Sequence, residues 1–313
     1  MRRVSKSGLL ALAVMTIGSP TTAQDASWAP DLEMIAKIRE EGLQRSQLPN
    51  TFSYMTDVLG ARLTNSDDMR RAQSWVLTEM DRIGLMNTHL EPFMDYGVSW
   101  DNEYVSVHMI EPDYSPLVAY PIAHTPGTDG KQRLEVVMGG IRSRADLAQY
   151  RGKLRGRAVL SSPPPTIDLT RFATGTPRRT DEELRALEED VIVPIRGADP
   201  YFSQLYPGAP SNPEVLTAAE KLAFYVEEGV AVVLESNSGW PGAVRGFARP
   251  GAKVDQWARA ETLGSVPVVA VTPEHYNRIY RVVARGLTVE VEGEVRNRHG
   301  DAGTEAHNAI GEI

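Results

Sequence analysis

The sequence contains no cysteine, and that absence removes several chemistries together: disulfide frameworks, thiolate nucleophiles and Cys-type zinc sites. Any metal centre must therefore be built from His, Asp and Glu. Clustered positive charge is also missing. Lys and Arg number 33 against 41 Asp and Glu, a formal net charge of -8, which excludes a nucleic-acid surface as the main business of the chain. Nor is there an H-E-x-x-H, a G-x-S-x-G or a Gly-rich phosphate loop. "ESNSGWPGAVRG", Glu235 to Gly246, has Ser and Gly without the nucleophile-elbow spacing and reads as a loop.

What is present is the composition of a globular protein, and 313 residues suit one large domain or two of ordinary size. The N-terminus stands apart. Met1 to Lys6 is basic, Gly8 to Ile17 is apolar, and Ser19 to Ala23 offers small residues for cleavage, the pattern of a secretory signal peptide over 1–23. The alternative, a membrane anchor, fails on length, because the apolar run is about half of the roughly 20 residues a spanning helix needs. Cleavage leaves 30 basic residues against 41 acidic. An exported, cysteine-free protein of this size suits a periplasmic or secreted location, with no membrane span after cleavage.

Helical spacing of Leu32, Ile35 and Ile38 predicts a first helix over 31–43, with Gly42 as its stop. In "NSDDMRRAQSWVLTEMDRIGL", Ser66 can cap, Asp67 and Asp68 suit the positive end of the helix dipole, and Met69, Ala72, Val76, Met80 and Ile83 share one face. Gly84 and Leu85 then close the helix. Tyr104 to Ile110 alternates as a strand, expected to pair with the one before it, and Pro112 ends it. From Pro116 onward short apolar strands among Gly and Pro, "LVAYPIA", "RLEVVMGG" and "GRAVLS", mark a β-rich unit.

Residues 163–213, which include the charged helix candidate "TDEELRALEED", are Pro-rich, charged and weakly apolar, a long excursion that carries little core. Two helix and strand alternations follow. One runs to a stop near Gly229 and a strand over Val230 to Leu234. In the other, Val266 to Val271 forms a strand, Thr272 caps a helix with Pro273 at its first position, Tyr276, Ile279 and Val283 make the inner face, Gly286 ends it, and Leu287 to Val295 forms a strand. Tyr201, Phe202, Tyr206, Trp240 and Trp257 lie in loops and offer at most a weak hint of a peptide groove.

The chain ends "RHGDAGTEAHNAIGEI". His299 and Asp301 reproduce an H-x-D, and Glu305 and His307 add two ligands of suitable type. The competing reading is a polar linker between two strands. It is the stronger, because metal ligands must be held rigidly by their surroundings and glycines at 300 and 303 loosen them. His89, His108, His124 and His275 are isolated in sequence and read as packing or surface residues.

Taken in order, "LTNSDDMRRAQSWVLTEMDRIGL", "THLEPFMDYGVSW", "VAYPIAHTPGTDG", "DLAQYRGKLRGRAVL", "TPEHYNRIYRVVARGLTVEVEGEV" and "HNAIGEI" resemble the N-terminal part of a secreted zinc exopeptidase of the carboxypeptidase Q and aminopeptidase Y type. The resemblance implies an α/β fold in which an incomplete peptidase domain, with its first helices and edge strands over 24–115, is interrupted by a β-rich protease-associated (PA) domain with flanking helices over 116–296. Residues 297–313 would then be a linker and the strand on which the chain returns to the peptidase domain. It also implies peptide substrates and two zinc ions, held in that family by an H-x-D on a strand end, a bridging Asp, a Glu-Glu containing the general base, a further Asp and a final His. All of these lie downstream of the return strand, so no catalytic or metal-binding residue is expected here, His299 and Asp301 being the one alternative. A stand-alone exported PA-type binding module is the rival to a non-catalytic peptidase portion. If the leader reading is right, N-terminal sequencing of the protein exported from a bacterial host will begin at Gln24.

Overall fold

A computed structural model describes residues 30–167, 180–189, 215–236, 241–244, 265–301 and 304–313. Residues 1–23, read from the sequence as a signal peptide, most of the Pro-rich excursion and the five loop aromatics lie outside the described residues. Two units divide the chain, Met1–Tyr54 and Met55–Ile313.

In the first unit, Asp31 caps α1 (Leu32–Gln44) by accepting the Met34 N–H at 2.9 Å, and α2 (Leu48–Ser53) carries Pro49 in its first turn. Gly42 does not stop α1, contrary to the sequence reading. A helical glycine costs only about 1 kcal/mol relative to Ala, and the helix continues until Arg45, whose N–H donates to the Glu41 carbonyl.

The second unit begins with α3 (Asp67–Arg82), which behaves as its sequence dictates. Ser66 Oγ accepts the Met69 N–H at 3.1 Å, Asp67 and Asp68 occupy the first turn, and the Leu85 N–H closes the far end on the Met80 carbonyl while Gly84 adopts φ +93°. The strands are β1 (Met86–Asp95), β2 (Trp100–Glu111), β3 (Ser115–Pro116), β4 (Ala119–Pro121), β5 (Gln132–Met138), β6 (Ala158–Leu160), β7 (Val232–Glu235), β8 (Val268–Val271), β9 (Glu290–His299) and β10 (Glu305–Glu312). Among them lie α4 (Leu147–Tyr150), α5 (Asp181–Glu189), α6 (Ala218–Glu228) and α7 (Pro273–Ala284).

Two sheets result. β1 pairs antiparallel with β10 alone, with α3 packed on both. The other eight strands form a mixed sheet in the order β3-β2-β9-β5-β6-β7-β8-β4, parallel from β5 to β8 and antiparallel elsewhere. Its two edge strands, β3 and β4, are separated in sequence only by Leu117 and Val118, so the sheet must curl until its edges meet. The expectation that the strand at Tyr104–Ile110 pairs with its predecessor is therefore wrong. β2 pairs with β3 and β9, because the buried stretch Tyr96–Ser99 carries the chain out of one sheet and into the other.

Strands β6, β7 and β8 are buried on both faces and read as apolar runs broken only by the buried Glu235 at the end of β7, as parallel strands covered on both sides should. Side chains alternate across the sheet. Ala158, Leu160, Val232, Leu234, Val269 and Val271 point into the curl, where they meet Val107, Met109, Val291 and Val295 from β2 and β9. Val159, Val233, Val268 and Ala270 point outward to Leu154, Phe224 and Tyr225, with Leu147 and Tyr150 of α4 beside them. α7 plugs the curl with Tyr276 and Ile279, both fully buried, and the Tyr276 hydroxyl donates to the Ser162 carbonyl at 2.7 Å. Thr272 precedes α7 as predicted but does not cap it with its side chain; its hydroxyl lies 3.2 Å from His275 Nδ1 instead. α6 has a full capping box, in which the Thr217 N–H and the Arg144 guanidinium hold the Glu220 carboxyl down to about 2.

No described helix is long and apolar enough to cross a membrane. Because Ile279 fills the centre of the curl while Ile83 is 63 % exposed, Ile279→Ala should cost about 2–5 kcal/mol. Ile83→Ala should change stability by less than about 0.5 kcal/mol. Urea unfolding of both variants measures the difference.

Candidate functional site

Paired strands β2 and β9 run the length of the curl, and their last pair sets His299 opposite Trp100. Trp100 is buried, and its indole N–H donates to the Thr125 carbonyl at 2.9 Å. Asn297 Nδ2 donates to the same carbonyl at 3.0 Å and to that of Pro126 at 3.2 Å. The loop so clasped contains His124, wholly buried at a left-handed φ of +64° and 3.4 Å from the Tyr96 hydroxyl through Nε2. Such a backbone conformation in a non-glycine residue persists only where its surroundings enforce it. Gly127 shows how tight they are: a Cβ there would lie 2.6 Å from the Val295 carbonyl oxygen.

His299 belongs to this packed region. Burial lowers its pKa below the ordinary 6.5, opposed by a hydrogen bond to the His124 backbone, and its Nε2 is buried with no hydrogen-bond partner. Asp301 lies on the far side of Gly300 and is exposed. Alternate residues share a strand face only while the strand lasts, and β9 ends at His299, so the H-x-D spacing does not align these two side chains. Gly300, read from the sequence as loosening the linker, is pinned by its N–H to the Ser99 carbonyl at 3.0 Å; Gly303 lies outside the described residues. Glu305 and His307 do approach one another, at 4.0 Å, on β10.

Among the described residues no three His, Asp or Glu side chains gather as a metal-binding group. His299 and Asp301 do not converge on one site, the Nε2 of the histidine lying in packed protein and the aspartate in solvent. The other histidines have non-metal partners: His89 Nδ1 and the Asn87 carbonyl, His108 with Ser106 and Tyr114, and His275 Nδ1, which accepts the Val118 N–H at 3.1 Å.

A cleft of about 180 Å³ lies beside this region, missed by the sequence reading. One wall is Ala61, Leu63 and the start of α3; the other is Trp100–Glu103, Tyr120 and Arg298. Arg298 reaches Asp67, Asp101 at 3.1 Å and Glu103 at 3.0 Å. The Asp67 carboxyl is lowered by the Arg70 hydrogen bond and by the attraction of Arg298, whereas burial raises that of Asp101. Burial, with the charges of Asp68 and Asp101, also raises the Tyr120 hydroxyl. Arg298 is 231 positions from Asp67, and no local pattern announces that meeting.

With this geometry in hand the chain can be compared with known proteins. A crystal structure of a peptidase M28 precursor from Shewanella amazonensis SB2B is similar over 89 % of this chain and 53 % of that one, with a TM-score of 0.50 and 14 % identity. The chain has the fold of part of that precursor. A zinc aminopeptidase from Bacillus subtilis is more distant, at a TM-score of 0.43 and 12 % identity over 84 % of this chain and 45 % of that one. An aminopeptidase from Aneurinibacillus sp. strain AM-1 gives 0.38 and 13 % over 87 % and 49 %. The fold argument rests on the Shewanella structure alone. The chain spans about half the length of these solved structures. No family model matches, and no curated protein does.

His299 supplies a pH prediction. Its folded pKa is depressed, so the unfolded state takes up the proton first, and stability present above about pH 6.5 should fall on acidification toward the folded pKa. His299→Gln should flatten that fall between pH 7.5 and about 5 in urea unfolding curves. An equal slope in both proteins would show that other groups cause it.

Proposed function

We propose that this chain is the N-terminal, non-catalytic portion of a secreted co-catalytic zinc exopeptidase that hydrolyses peptides. The observation that carries the reading is the fold shared with the Shewanella peptidase precursor over most of this chain but only half of that one. The ordered sequence blocks and the N-terminal leader pattern support it. On this reading α3, β1 and β10 are the start and return of the peptidase domain, and residues 116–296 form a PA-type unit that helps wall the substrate cleft. Two zinc ions would be held in the complete enzyme by residues outside this chain.

One observation favours a second reading, a stand-alone exported binding module: the curled sheet encloses its own two hydrophobic cores. The nucleotides after the Ile313 codon separate the two. A frame continuing into a second H-x-D supports the peptidase portion, and a stop supports the module.

The purified chain should give no turnover of fluorogenic aminoacyl or dipeptide substrates with added zinc. Chelator-sensitive turnover would overturn the non-catalytic assignment. Zinc titration should show no tight stoichiometric binding, whereas tight binding abolished by His299→Ala would restore the terminal cluster as a metal site.

A further inference from the structure

Successive side chains of β2 point to opposite faces of the curled sheet. Val107 and Met109 enter the interior, so Tyr104, Ser106 and His108 share the outer face, where Ser106 and His108 are half-buried and within reach of molecules in solution. Across from them on β9 stand Arg296 opposite Tyr104, Glu294 opposite Ser106 and Glu292 opposite His108. Tyr114, one residue before β3, covers the imidazole, the two rings stacking with centroids 5.7 Å apart at 19°.

Two hydrogen bonds run through that imidazole. Ser106 Oγ is 2.8 Å from His108 Nε2, and the Tyr114 hydroxyl is 3.0 Å from Nδ1. A hydroxyl bonded to one ring nitrogen, with a third group fixing the other, is the arrangement in which a histidine activates a serine as nucleophile. Tyr114 can accept the Nδ1–H while its own proton points to solvent, which leaves the Nε2 lone pair for the Ser106 hydroxyl. Glu292 steadies the charge that follows. When His108 takes up a proton, the imidazolium forms opposite this carboxylate, whose pKa is held below the ordinary range by the Lys131 hydrogen bond first and, less strongly, by the charge of His108.

The charges beside the pair cancel. Lys131 bonds Glu292 at 2.7 Å, and Arg296 lies 3.8 Å from Glu294 with its guanidinium 4.4 Å over the Tyr104 ring. An uncharged acyl donor suits such a strip better than an ionic one.

We infer that Ser106 is an acyl-acceptor nucleophile for uncharged activated esters, with His108 as its general base and Tyr114 as a positioning residue. In the step, Ser106 Oγ attacks the ester carbonyl carbon and passes its proton to His108 Nε2. The tetrahedral adduct then breaks the bond to the leaving oxygen, which departs with that proton, and the serine is left acylated beside a neutral histidine. All the residues involved lie within this chain, so the assignment stands apart from the peptidase reading.

The test is acetylation of the full chain by p-nitrophenyl acetate, followed by peptide mass spectrometry. A chelator is present throughout, which separates the outcome from any zinc-dependent turnover. Ser74 is the internal reference, an exposed serine whose hydroxyl donates to the Arg70 carbonyl. Ser106 should be acetylated at least about 100-fold faster than Ser74, the lower end of what general-base catalysis contributes. His108→Gln should bring Ser106 down to the Ser74 rate, and Ser106→Ala should remove the fast phase of p-nitrophenolate release. Tyr114→Phe keeps the stacked ring without the hydroxyl; it should slow acetylation and change the nitrogen NMR signals of His108 from the Nδ1–H tautomer to a mixture. These side chains lie on the outer face, so the substitutions leave the core packing in place. Acetylation of Ser106 no faster than that of Ser74, or unchanged in His108→Gln, would overturn the assignment. So would a wild-type His108 carrying its proton on Nε2.

Discussion

Everything in the curled sheet depends on two adjacent residues serving opposite edges. The Leu117 N–H donates to the Val107 carbonyl on β2 at 2.9 Å, while the Val118 carbonyl accepts the Thr272 N–H beyond β8 at 3.1 Å. His275 Nδ1 takes the Val118 N–H that remains. The two edges are thereby brought together at one point of the chain, and the curl fixes what can fill the interior. Valines dominate the inward positions, Gly293 lies among them, and a void of only about 20 Å³ remains. α7 fits as a plug because it starts two residues after β8, directly over the opening that the curl creates.

Local signals were the legible ones. Ser66, Gly84, Gly229 and Gly286 end or begin helices through contacts spanning a few residues, so the letters are enough. The short apolar runs in β6, β7 and β8 announce buried strands for the same reason. Partnership was not legible. β2 pairs with β9 across some 190 positions, and β1 with β10 across more than 200; nothing in either strand says which other strand completes it. The local errors, at Gly42, at the side chain of Thr272 and at Gly300, arise where a rule of modest energy decides little by itself: Thr272 finds His275 and Gly300 finds the Ser99 carbonyl.

The same division explains the functional residues. An H-x-D is a pattern of letters, and its meaning depends on whether the strand continues past the histidine. Here it stops, which sends His299 into the packing around His124 and Asp301 into solvent. Arg298, one residue earlier, carried no signal in the sequence, yet it contacts three carboxylates on two elements. A single arginine among many surface charges becomes distinctive only when the pairing of β2 with β9 is known.

The two places where the chain leaves and regains the β1–β10 pair are themselves bonded to each other. The Tyr96 N–H donates to the Thr304 carbonyl and the Gly300 N–H to that of Ser99, each at 3.0 Å. Some two hundred residues thus begin and end at one point, so the long segment is topologically a cassette. Its length can change in the loops far from this point without altering the spacing of its ends, whereas Asp101 and Arg298, close to those ends, are also held to Asp67. Divergence can therefore accumulate in the cassette and in its bracket at unequal rates.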